Sequence, residues 1–124
     1  MWTYEQATGK LFDNGVLVET GYAGGNEGRN PEGVNNSELQ QEKGIGPLPK
    51  GLYQFGTPVE HSHLGPFAIP LLPDSTNEMF NRSGFYMHGD TSAMNHSASE
   101  GCIIMPRAIR EQCDSSQDRQ LEVV

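Results

Sequence analysis

Cysteine is scarce in this chain of 124 residues: Cys102 and Cys113 are the two it has. No C-x-x-C pair occurs, so the sequence predicts neither a disulfide framework nor a zinc ribbon. Basic residues are also few, 8 Lys and Arg against 16 Asp and Glu, for a formal net charge of -8. No Lys/Arg run is present, and a surface this negative repels phosphate backbones and anionic membrane faces. Long apolar runs are missing as well. The stretch around 67–72 falls far short of the ~20 residues that cross a bilayer. Met1-Trp2-Thr3-Tyr4-Glu5-Gln6 shows no basic segment followed by an apolar one, so no signal peptide is expected. These absences argue against nucleic acid and membrane as partners and predict a soluble domain made in the cytoplasm.

Turn formers are plentiful, with 15 Gly and 8 Pro. That composition predicts short strands joined by many loops rather than a helical bundle. The length suits one domain over 1–124, since domains commonly run to about 100–150 residues. The expected fold is mainly β, a compact sandwich or barrel-like domain with one or two short helices.

Local patterns place the elements. Asn14-Gly15 stands between an apolar segment over 3–12 and Val16-Leu17-Val18, which predicts an N-terminal hairpin because both turn positions need positive φ. A short helix is expected from Pro31 through 38–41. Leu52-Tyr53-Gln54-Phe55 predicts a strand. A second strand is expected over 66–72, with its prolines suggesting a sheet edge. One helical turn is expected over 77–81. Gly84-Phe85-Tyr86-Met87 predicts a strand that delivers His88 at its end. Pro106 suits the first turn of a helix through Cys113, with Met105, Ile109 and Cys113 on one face. Leu121-Glu122-Val123-Val124 predicts a closing strand.

The chemistry concentrates in Gly84-Phe85-Tyr86-Met87-His88-Gly89-Asp90 and Ser97-Ala98-Ser99-Glu100-Gly101-Cys102-Ile103-Ile104. Cysteine catalysis needs a thiolate, a group to hold its proton, and donors for the oxyanion. Cys102 and His88 supply the first two. The amides of Gly101 and Cys102 are natural oxyanion donors, and Gly101 lacks a side chain that would obstruct a carbonyl substrate. Either Asp90 or a backbone carbonyl can orient the imidazole. Free cysteines are more often small buried hydrophobes, and Cys113, on the apolar face of its helix, takes that reading. A Cys102–Cys113 disulfide is a second alternative, and it would abolish the nucleophile. A metal held by His61-x-His63 and His88-x-Asp90 is a third. Those spacings are short and common, however, and the two imidazoles of 61–63 fit a solvated loop.

His88-Gly89-Asp90 followed by Ser99-Glu100-Gly101-Cys102-Ile103 resembles the active-site signature of the L,D-transpeptidases (YkuD-like). Gly46-Pro47-Leu48-Pro49-Lys50-Gly51-Leu52-Tyr53 is similar to the stretch ahead of a core strand in that superfamily. With Tyr22-Ala23-Gly24-Gly25 and Arg82-Ser83-Gly84 added, the chain looks like the branch of toxins delivered between bacteria by type VI secretion. The resemblance implies Cys102 as nucleophile and His88 as general base, with Asp90, Ser99 and Gly101 in the catalytic loop. It also implies Arg82 or Arg107 as binders of a substrate carboxylate, beside Gly89 and Tyr86. Housekeeping members carry His where this chain has Glu100, and Arg where it has Ile104, a departure that favours the toxin branch.

The implied reaction is acyl transfer at the meso-diaminopimelate–D-Ala bond of tetrapeptide stems of peptidoglycan, by L,D-carboxypeptidase or D-amino-acid exchange chemistry, with no cofactor. The implied partners are those stems, a cognate immunity protein and a secretion machinery, with action in the periplasm of a target bacterium. A resident or phage-encoded wall-remodelling enzyme and a non-catalytic peptidoglycan-binding module are the alternatives.

Overall fold

The computed structural model describes residues 1–90 and 99–124. Three strands open the chain: β1 (Trp2–Tyr4), β2 (Lys10–Asp13) and β3 (Val16–Thr20). The segment expected as one arm of the hairpin is therefore two strands, because the chain reverses between Glu5 and Gly9, where the Gly9 N–H donates to the Glu5 carbonyl at 2.9 Å. The hairpin itself pairs β2 with β3, Asp13 opposite Val16. Asn14 and Gly15 take φ of 50° and 84°, the left-handed pair that matches the twist of the flanking strands.

β4 (Tyr22–Ala23) leads into three single 3-10 turns, Asn26–Gly28, Pro31–Gly33 and Ser37–Leu39. These replace the helix expected from Pro31. Asn35 sits at φ 52° and its Oδ1 accepts the Ala23 N–H at 3.1 Å, so the chain breaks helical geometry there to dock against β4. β5 (Gly51–Phe55), β6 (Val59–His61), β7 (Gly65–Pro73), β8 (Tyr86–His88) and β9 (Ile103–Ile104) follow, then helix α1 (Arg107–Ser115) and β10 (Gln120–Val123). The helical turn expected over 77–81 is absent. Phe80 and Asn81 are left-handed at φ 54° and 58°, and Asn77 instead brackets Leu52, accepting its N–H and donating to its carbonyl.

The strands run in the order β3-β2-β1-β10-β5-β7-β8-β9-β4, with β6 paired onto β7. The β1–β10 and β8–β9 pairs are parallel and the others antiparallel. The two ends of that order, β3 and β4, are separated in sequence by Gly21 alone, so the mixed sheet has to curl until its ends meet. A Cβ on Gly21 would lie 1.9 Å from the Ile104 carbonyl oxygen, which is why glycine stands at the seam.

β7 is an interior strand, against the expectation of an edge. It pairs β6 through Gly65 and Ala68, β8 through Ile69 and Pro70, and β5 through Leu71, Leu72 and Pro73. Its prolines are tolerated because the strand changes partner along its length, with Phe67 at φ 54° marking the bend. Neighbouring groups carry the ladder: the Leu71 N–H donates to the Phe85 carbonyl and the Gly56 N–H to that of Pro70.

The core forms inside the curl, from Trp2, Tyr4, Leu11, Leu48, Ile69, Leu71, Met87, Ile103, Met105 and Leu121. Each large side chain buried there stabilises the fold by about 1.5–3 kcal/mol. α1 closes the core with the expected face: Met105 and Cys113 are buried and Ile109 packs against them. Among the described residues no helix is long and apolar enough to cross a membrane.

Candidate active site

Two adjacent parallel strands bring the signature residues together. Met87 lies opposite Ile103 and His88 opposite Ile104, so Cys102 immediately precedes β9 at the level of Tyr86. Side chains two apart on a strand share a face, which puts Tyr86 and His88 of β8 on the same side as Cys102. The Tyr86 N–H donates to Cys102 Sγ at 3.3 Å. Both Cys102 and His88 line a cleft of about 450 Å³, with Tyr86, Phe85, Arg82, Glu100, His61, His63, Glu27 and Lys43 among its other walls.

The His88 imidazole is buried, and its Nδ1 lies 2.9 Å from the Gly89 carbonyl. A carbonyl only accepts, so Nδ1 carries the proton and the Nε2 lone pair is left open. Nε2 is buried with no hydrogen-bond partner among the described residues. The imidazole and the Cys102 thiol thus line the same cleft and share no hydrogen bond.

Burial pushes the His88 pKa down to about 4, against a smaller opposing effect of the Gly89 carbonyl and a further lowering by Arg110. Burial likewise pushes Cys102 up to about 11, with the Tyr86 N–H pulling the other way. Near neutral pH the site therefore rests as thiol and free-base imidazole rather than as an ion pair. A neutral imidazole with an open Nε2 is competent to take a proton as the thiol attacks.

The loop ahead of β9 is built on Ser99. Its buried Oγ accepts the N–H of Gly24 and of Gly101, each at 2.9 Å, and donates to the Cys102 carbonyl at 2.7 Å. The Gly101 amide is consequently engaged, which leaves the Cys102 amide as the backbone donor beside the thiol. Gly101 has a different reason for being glycine from the expected one. Its φ is +145°, and a Cβ would come within 2.6 Å of Arg82 Nη2 and 3.0 Å of Phe85 Cε1. Protein atoms, not substrate, occupy the space of the missing side chain.

The other expected residues are dispersed. Asp90 Oδ1 accepts the Tyr22 hydroxyl at 2.6 Å. Arg82 is buried, donating to the carbonyls of Gln40, Pro47 (2.8 Å), Gly46 (3.0 Å) and Glu100 (3.4 Å). Arg107 stands on α1 away from the cleft lining, paired with Glu111 at 3.5 Å and stacked on Phe67. Gly89 contributes its carbonyl to His88 and abuts Arg110, whose Nη2 lies 3.2 Å from where a Cβ would project. Ser97 and Ala98 of the signature lie outside the described residues.

Cys102 and Cys113 are both free. Cys113 is buried on the inner face of α1, where burial pushes its pKa up to about 12. His61 ends β6 and His63 stands exposed in the turn after it, as the solvated-loop reading expected, and both also line the cleft. The His61 ring lies edge-on to Tyr86 with centroids 5.3 Å apart, and His63 Nε2 lies 2.8 Å from Glu27 Oε1. The His-x-His spacing was visible in the sequence, whereas nothing there joined it to Glu27, 36 residues away.

Residues 20–123 match the family model described as the Tlde1 domain. No curated protein and no solved structure matches the chain.

Proposed function

The chain belongs to the Tlde1 domain family, a family of type VI secretion L,D-transpeptidase effectors, and on that premise we propose that it is a peptidoglycan-modifying cysteine enzyme with Cys102 as nucleophile and His88 as general base. The observation that carries this reading is that Cys102 and His88, whose buried Nε2 has no hydrogen-bond partner among the described residues, line one cleft.

In the proposed reaction the Cys102 thiol proton passes to His88 Nε2 as Sγ attacks the carbonyl carbon of the meso-diaminopimelate–D-Ala amide. The Cys102 N–H faces the developing oxyanion. The C–N bond then breaks, Nε2 returns the proton to the departing D-Ala amine, and a thioester remains on Cys102. Water, deprotonated at Nε2, releases a tripeptide. The amine of a D-amino acid attacking in its place yields an exchanged stem. Either outcome removes the tetrapeptide donors that cross-linking needs in the periplasm of a target bacterium, and an immunity protein would guard the producing cell by closing the cleft.

The test incubates wild-type protein and Cys102→Ala with disaccharide-tetrapeptides and follows products by mass spectrometry. Loss of D-Ala, or its replacement by an added D-amino acid, is expected with the wild type alone. Alkylation of Cys102, which lines the cleft, ahead of Cys113, which does not, accompanies it. Unchanged muropeptides in both samples, with a Cys102 that resists alkylation, would overturn the enzyme in favour of a wall-binding module.

A further inference from the structure

A closed ring of contacts runs from Cys102 through two walls of the cleft and back. From Cys102 it passes to Ser99, whose Oγ donates to the Cys102 carbonyl at 2.7 Å. The Ser99 carbonyl accepts the Glu27 N–H at 2.9 Å. Glu27 Oε1 meets His63 Nε2 at 2.8 Å. The His63 N–H donates to His61 Nδ1 at 3.0 Å, the His61 ring abuts Tyr86, and the Tyr86 N–H returns to Cys102 Sγ at 3.3 Å. The Glu27–His63 link thus joins two separate walls of the cleft, and both walls are anchored to the nucleophile.

A role in stability does not account for that link. His63 is 70% exposed and Glu27 25%, and ion pairs so exposed contribute little to folding. Yet Glu27 is held in a left-handed conformation, φ 55° and ψ 39°, which a residue with a side chain adopts at an energetic cost. The pair is also open to exchange. It sets a carboxylate and an imidazole side by side, and Glu27 favours the protonated ring, raising the His63 pKa through their hydrogen bond and charge. A free amino-acid group carries the inverse arrangement, an ammonium beside a carboxylate. Inserting one between Glu27 and His63 replaces a single charge-assisted contact by two.

We propose that Glu27 and His63 are specificity-determining residues that receive the free amino-acid end of the diaminopimelate side chain, its ammonium on Glu27 and its carboxylate on His63. The assignment rests on the wall-peptide reading of the cleft. It separates diaminopimelate stems from lysine stems, because lysine presents the ammonium without the carboxylate.

The experiment measures binding by calorimetry in the Cys102→Ala background, using disaccharide-tetrapeptides with meso-diaminopimelate or L-lysine at the third position. The diaminopimelate stem is expected to bind about tenfold tighter. His63→Gln should erase that preference by weakening the diaminopimelate stem alone, whereas Glu27→Gln should weaken both stems about tenfold. Equal weakening of both stems by both variants would reduce the pair to a tether and overturn the proposal. So would a preference that survives His63→Gln, or no binding of either stem. Turnover by the Cys102 enzyme is scored separately. A protein that binds with the expected pattern but converts nothing sinks the catalytic reading and leaves the receptor standing. One that converts stems without preference does the reverse.

Discussion

The Tyr22 hydroxyl donates to Asp90 Oδ1 at 2.6 Å, while His88 turns its Nδ1 to the carbonyl of Gly89 at 2.9 Å. The carboxylate nearest the His88 imidazole in sequence therefore ties the segment after β8 to β4, and a backbone oxygen sets the tautomer. Asp90→Asn keeps an acceptor for Tyr22 and leaves the Gly89 carbonyl in place, so D-Ala release should fall by less than about tenfold. His88→Asn should reduce it by about a thousandfold or more, as removal of a general base does. Initial rates on a tetrapeptide stem decide the matter. Equal losses in the two variants would move Asp90 into the proton relay.

Burial of His88 as a neutral ring makes folding sensitive to acid. Its pKa falls from 6.5 to about 4 on folding, so between those values the unfolded chain binds a proton that the native state refuses. The sign follows: this contribution to stability is complete above pH 6.5 and is lost as pH drops toward 4. The full loss amounts to about 3 kcal/mol. Urea midpoints recorded from pH 7 to pH 4 should show a steep decline in the wild type and a shallower one in His88→Asn. Parallel profiles would mean that the imidazole becomes protonated without unfolding.

Ser99 supports the turn that carries Cys102, the proposed nucleophile, without needing to touch substrate. One hydroxyl serves three backbone groups of two loops, Gly24 N–H, Gly101 N–H and the Cys102 carbonyl. Ser99→Ala leaves all three buried groups without that partner and should cost about 2–4 kcal/mol of stability. It should also lower kcat more than it raises KM, because Cys102 loses its fixed position. Ser99→Thr restores the oxygen, and partial rescue of both quantities is the check. A variant as stable and as active as the wild type would remove Ser99 from the loop's support.

Legibility in the sequence followed the range of the interactions. The Asn14-Gly15 turn, the Pro106-capped helix and the strand ending at His88 are decided within a few residues, and each stands where the local pattern put it. Pairing across the sheet is decided by partners far away. The three prolines of β7 suggested an edge because nothing local reveals that the strand bends at Phe67 and changes neighbours. Asn35 ended the helix expected from Pro31 through a bond to Ala23, twelve residues earlier. At the site, His88 and Cys102 stood out by their motif and do line one cleft, while the destinations of Asp90, Arg82 and Glu27 depended on loops folding back upon them.

Arg82 gives the sharpest contrast between a charge seen in sequence and a charge seen in the fold. The resemblance offered it as a receptor for a substrate carboxylate. Its guanidinium instead donates to the carbonyls of Gln40, Gly46, Pro47 and Glu100, with its Cζ 5.1 Å from the Phe85 ring centre. A planar fork can serve four oxygens converging from two loops, and a single ammonium cannot. Arg82→Lys should therefore cost about 2–4 kcal/mol in a urea titration. The Glu100-Gly101-Cys102 turn is one of the loops it holds, so D-Ala release should fall alike on stems with a free and an amidated terminal carboxylate. A substrate-binding arginine would act otherwise. The variant would melt like the wild type, and KM would rise for the free-carboxylate stem alone. That pattern would return Arg82 to the role the resemblance implied and would require the guanidinium to leave its carbonyls when substrate arrives.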